Sequence, residues 1–203
     1  MHETADTRRW VDTAARIVSE ALAPAIIVTA VVAAVAWDST DTAGQAVVWS
    51  AVCVLFSAVI PMGFVLGGVR AGRWEDHHVA DRARRRWPLV VGAVSVGAGT
   101  VLVLALGGPT DLVTLGVTMG AVLAVVWVVT DRWSWKVSVH ALAAAVGAST
   151  ATALGGWAGA LVAWPLALLV GWSRVRLRAH TPGQVGVGAL LGAAAMAAFL
   201  LLR

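Results

Sequence analysis

Polar stretches divide this chain into apolar runs, each close to the length that crosses a bilayer. About 20 consecutive apolar residues in a helix cover the ~30 Å of hydrocarbon, and such runs lie at about 17–37, 46–69, 89–107, 110–129, 137–154, 157–172 and 185–202. The fifth and sixth are short and rich in Ala and Gly. In lipid every backbone N–H and C=O must be paired within its own segment, so runs like these become helices. With 59% hydrophobic and 13% charged residues in 203, the chain is too apolar for a solvated domain. The expected fold class is all-α: a polytopic transmembrane helical bundle with six or seven helices, forming a single integral membrane domain over residues 1–203. Residues 1–16 are polar, with Arg8, Arg9 and Arg16, and no small-residue cleavage pattern follows, so the first apolar run is expected to be retained.

Charge alternates between connections. Asp38–Gln45, Gly107–Asp111 and Gly155–Gly156 are short and carry little, whereas every Lys and Arg except Arg203 falls before residue 17 or around residues 70–86, 132–136 and 174–178. This implies three helical hairpins plus one last helix, with all the basic segments on one face. The positive-inside rule puts that face in the cytoplasm of a cell (inner) membrane. Nine of the eleven tryptophans, Trp10, Trp37 and Trp157 among them, fall near the ends of the apolar runs, as headgroup-level anchors do. Trp127 and Trp164 lie deeper and read as packing. A pI near 10.9 raises the question of nucleic acid, but no soluble basic domain or stacking platform is present to bind it. Membrane phosphates are the more natural anionic partner. Cys53, alone inside an apolar run, builds neither a disulfide nor a thiolate metal site.

Three polar clusters emerge on the basic face. The first runs from Arg73 through Glu75, Asp76, His77, His78, Asp81, Arg82 and Arg84–Arg86 to Pro88. The second runs from Asp131 through Lys136 and Ser138 to His140, and the third from Ser173 through Arg174, Arg176, Arg178 and His180 to Gln184. Lys136, Ser138 and His140 surround the first turn of a membrane helix, whose unpaired N–H groups and positive dipole end favour a phosphate. They serve equally well as an interfacial cap, with Ser138 or Ser134 capping and Lys136 snorkelling. In the third cluster Thr181 and Pro182 supply an N-cap and a first-position proline. Gln184, four residues after His180, is placed to bond its ring. An arginine-rich edge that binds lipid headgroups is the plainer alternative.

Ser173-Arg174, five residues, then His180 resembles the third signature of the type 2 phosphatidic acid phosphatase superfamily. Ser138-Val139-His140 is similar to its second signature, Pro-Ser-Gly-His, without the Pro and Gly. Arg82 with Arg85 or Arg86 and Pro88 resembles a degenerate first signature. The resemblance spans residues 73–190 and implies a metal-free lipid phosphatase acting on an isoprenyl (di)phosphate or related lipid phosphate. In that scheme His180 attacks phosphorus to form a phosphohistidine and His140 protonates the leaving oxygen. Arg174, Ser138, Lys136, Arg82 and Arg86 hold the phosphate oxygens, with Ser173 in support. No cofactor is implied.

Where the family has an Asp to orient the nucleophile, this chain has Gln184, which supplies no negative charge to an imidazolium. Three consequences stay open. Turnover is reduced, a carboxylate such as Asp131, Asp76 or Asp81 serves instead, or the protein is a noncatalytic lipid-phosphate binder or carrier. The acidic residues and histidines at 75–81 also have the composition of a divalent-cation site, but the surrounding arginines oppose it. Asp76 and Asp81 read better as partners that position Arg82 and Arg86.

Overall fold

The computed structural model describes residues 5–72, 82–133 and 135–203, with the side chains at 5–6 and 82–86 outside that description. Every regular element among them is helical: α1 (Ala5–Ala21), α2 (Pro24–Asp38), α3 (Ala43–Arg70), α4 (Arg82–Ala105), α5 (Thr110–Arg132), α6 (Val139–Arg176) and α7 (Pro182–Leu202). Six stretches are long and apolar enough to cross a membrane, α1 and α2 together making the first. The protein is a multi-pass helical membrane protein. Helix begins earlier than hydropathy alone suggests, because the polar residues of α1 alternate with Val11, Ala15 and Val18 at helical spacing.

The longest helix is in fact a hairpin. Gly156 has φ 58° and ψ −146°, a conformation open to glycine and strained for other residues. Beyond it the chain doubles back, since Trp164 Nε1 donates to Thr152 Oγ1 at 3.2 Å and Gly159 lies against the Ala151 carbonyl. In an unbroken helix Thr152 and Trp164 would stand about 18 Å apart along the axis. The arms 139–155 and 157–176 are therefore two antiparallel helices, as the Gly155-Gly156 pair in the sequence suggests.

The chain clusters into two compact units, one of residues 1–27 and 137–193 and the other of residues 28–136 and 194–203. In the first, α1 packs along α6. Small residues set the approach of α7: a side chain at Gly188 would meet the Ser138 carbonyl, and one at Gly192 the Leu142 carbonyl. This is a small-xxx-small seam, where van der Waals contact replaces the hydrophobic drive absent in lipid.

In the second unit α3 carries a π-helical turn at Leu55–Val59, followed by Pro61. Pro61 has no N–H to offer, and in the π register its partner would be the carbonyl of Phe56. That carbonyl is taken instead by Ser95 Oγ of α4 at 2.6 Å, and Gly99, one turn later, packs on the Phe56 side chain. A proline-freed acceptor in lipid must find such a donor. At the charge-poor connections Arg203 bonds Asp38 at 2.7 Å and Asp111 at 3.0 Å, with its guanidinium 5.6 Å from the Phe199 ring centre. The Asp38 hydrogen bond, with the carboxylate charges, pushes the Arg203 pKa further up against the opposing effect of partial burial.

Gly156→Ala is expected to destabilise the protein by about 1–3 kcal/mol through backbone strain alone, since open space surrounds the added Cβ. Thermal unfolding in detergent measures it, with Gly155→Ala, which has the same open space, as the nearly neutral control.

Candidate functional site

Among the described residues every buried His and Arg belongs to the first unit: His140, Arg174 and His180 are 8%, 4% and 6% exposed. Ser19, Ser138 and Ser173 of the same unit are buried too. An ionisable group here is costly, so what holds each one is informative.

The end of α6 is a Schellman turn. The Ala179 N–H donates to the Arg174 carbonyl at 3.0 Å and the Arg178 N–H to the Val175 carbonyl at 2.9 Å, with Arg178 in the left-handed conformation at φ 53°. This motif satisfies the last carbonyls of a helix and normally uses glycine at that position. The His180 N–H also donates to the Arg174 carbonyl, at 3.2 Å. One turn thus couples the arginine to the histidine six residues on. The Arg174 side chain runs into the unit, where Nη1 donates to Ser19 Oγ of α1 at 2.5 Å. Ser173 Oγ donates to the Val170 carbonyl at 2.7 Å.

His180 stands at the mouth of α7. Thr181 and Gln184 form a reciprocal capping box: the Gln184 N–H donates to Thr181 Oγ1 at 3.3 Å and the Thr181 N–H to Gln184 Oε1 at 3.2 Å. The same Oε1 lies 3.2 Å from His180 Nδ1. An amide oxygen only accepts, so the contact assigns a proton to Nδ1 and, in the neutral ring, the lone pair to Nε2. Gln184 therefore both caps the helix and orients the imidazole.

Ser138 is the N-cap of α6, its Oγ accepting from the Ala141 N–H at 3.3 Å. Its own N–H donates to the Gln184 carbonyl at 3.2 Å. This bond ties the start of α6 to the first turn of α7, so the second and third clusters meet through the backbone of Ser138 and Gln184. His140 follows in the first turn of α6. Lys136 is half-buried in the non-helical stretch just before Ser138 and, like the exposed Asp131 on the last turn of α5, falls in the second unit. Arg82 and Arg86 are on the first turns of α4, but their side chains, like Asp76 and Asp81 altogether, lie outside the described residues. Among the described residues no three of His, Cys, Asp and Glu gather as a metal site would.

Two partners escaped the sequence analysis. Ser19 meets Arg174, and Asp12 accepts from Arg176 Nε at 2.8 Å. Their signal was present in the seven-residue spacing of Asp12 and Ser19, which puts both on one face of α1. It carried no weight without a reason to read residues 5–16 as helix. Chemically, the unit offers a buried guanidinium, an imidazole with a directed lone pair, a second buried imidazole and a serine at a helix N-terminus. Comparison with protein-family models, curated proteins and solved structures finds no match to this chain.

Ser19→Ala removes a hydrogen bond to a buried charge, so stability is expected to fall by about 1.5–3 kcal/mol. Thermal unfolding checks this, and a Tm equal to that of the unaltered protein would mean the contact is incidental.

Proposed function

We propose that this protein is a membrane lipid phosphatase that hydrolyses an isoprenyl (di)phosphate or related lipid phosphate without metal, through a phosphohistidine. The observation that carries the reading is the orientation of His180. Its Nδ1 faces Gln184 Oε1, which in the neutral ring leaves Nε2 as the nucleophilic nitrogen, and its N–H shares the carbonyl of the buried Arg174. The resemblance of Ser173-Arg174 with His180, and of Ser138 with His140, to the phosphatase signatures supports the same roles.

In the first step His180 Nε2 attacks phosphorus, the bond from phosphorus to the leaving oxygen breaks, and protonated His140 donates its proton to that oxygen. In the second, His140 takes a proton from water, the oxygen attacks the phosphohistidine, and the P–N bond breaks to release phosphate and His180. Arg174 and the hydroxyl proton of Ser138 offset charge on the phosphate oxygens, and the resemblance to the phosphatase signatures implies the same role for Lys136, Arg82 and Arg86. By the positive-inside rule, the basic segments support a reaction on the cytoplasmic side.

A second reading, a noncatalytic lipid-phosphate binder or carrier, is favoured by one observation. Gln184 Oε1 already accepts from the Thr181 N–H and brings no charge to stabilise an imidazolium.

Purified protein in EDTA, given a panel of lipid phosphates, is expected to release phosphate. His140→Ala should slow this by about 10²–10⁴-fold and His180→Ala should abolish it; full activity in both variants would sink the proposal. Gln184→Glu keeps the length of the cap and adds a carboxylate, so turnover should rise. Tight binding without turnover in the unaltered protein supports the carrier instead.

Orientation has its own test. With Cys53 replaced by Ser, an impermeant maleimide should label Thr40→Cys in intact cells and Arg132→Cys only after permeabilisation. The reverse pattern would place the basic face outside.

A further inference from the structure

The first unit also holds a cavity rich in guanidinium groups that none of His140, Arg174 and His180 lines. It is open, measures about 430 Å³ and is lined by Arg8, Asp12 and Arg16 of α1, Arg176 of α6, and Leu177 and Arg178 of the following turn. Arg8, Asp12 and Arg16 recur every four residues, so they form one stripe along α1. Asp12 holds the Arg176 guanidinium through Nε at 2.8 Å, and the Schellman turn carries Arg178 back to the same rim. Four guanidiniums against one carboxylate leave the lining at a net +3.

Two features say what such a cavity takes. Guanidinium forks match the oxygens of phosphate in paired hydrogen bonds, and the volume falls in the range of about 300–1,000 Å³ that holds a whole small molecule. The left-handed backbone at Arg178 costs about 1–2 kcal/mol for any residue with a Cβ, yet an arginine occupies it and reaches the cavity. The surroundings are those of a membrane edge: Trp10 on α1 is 72% exposed and Ile17, one residue from Arg16, is 63% exposed. Basic pockets among membrane helices at this depth bind lipid headgroups, and exposed indoles mark the headgroup level.

We propose that this cavity binds the phosphate of an anionic phospholipid headgroup, docking α1 and the end of α6 on the bilayer surface. The lipid is held, not hydrolysed. The proposal stands apart from the phosphatase reading, because that assay reports on Arg174, His140 and His180.

The test uses the full-length protein in nanodiscs of phosphatidylcholine, alone or mixed with phosphatidylglycerol, and follows thermal unfolding. Phosphatidylglycerol is expected to raise Tm. The R16Q/R178Q double variant should lose at least half of that rise while matching the unaltered protein in phosphatidylcholine alone, and Arg132→Gln on α5 should keep all of it. Asp12→Asn removes the competing carboxylate and should enlarge the rise. An undiminished rise in R16Q/R178Q overturns the proposal. Inorganic phosphate added to phosphatidylcholine nanodiscs separates the two sources of the anion: a Tm rise as large as that from phosphatidylglycerol overturns the lipid assignment, and a smaller one supports it.

Discussion

A guanidinium buried in a protein made of membrane helices needs an acceptor, and in the first unit Ser19 of α1 supplies one. Arg174 is 4% exposed and reaches Ser19 across the α1–α6 contact. Its main-chain carbonyl receives the N–H groups of both Ala179 and His180. One residue therefore supplies the buried charge and anchors the turn that aims the next functional side chain. The lateral position of α1 follows from the same need, because Ser19 and Asp12 meet Arg174 and Arg176 from a single helical face.

The second unit answers to a related constraint, the pairing of every backbone group away from water. Pro61 and the π turn before it leave the Phe56 carbonyl to be satisfied by another helix, and Ser95 does so. Gly99 allows the approach that this bond requires by packing directly on Phe56. Charge is treated in the same way at the connections poor in it, where Asp38 and Asp111 share Arg203.

Much of the third cluster was legible in the sequence because its rules are local. Thr181 and Pro182 specify a capped helix start, and the four-residue spacing from His180 to Gln184 puts ring and amide in contact, as observed. The turn at Gly155-Gly156 was readable from its position between two apolar runs. Other features were not. Polar α1 has no run of hydropathy to mark it, and the π turn of α3 looks like any apolar helix in the sequence. The share of Ser138 in the link to α7 depends on Gly188, a position that reads only as one small residue among many.

Hydropathy, cap residues and charge pattern, all properties of neighbouring residues, determined the helical membrane class, the capped start of α7 and the alternation of basic and charge-poor connections. Tertiary structure alone decided that Arg174 bonds Ser19, a partner 155 residues away in the chain. It alone decided that Ser138 bonds Gln184 and that four arginines from two helices and a turn surround one cavity. The physical reason is one of range. Backbone pairing in lipid is settled within a helix turn, whereas the partner of a buried side chain depends on which small residues let two distant helices touch.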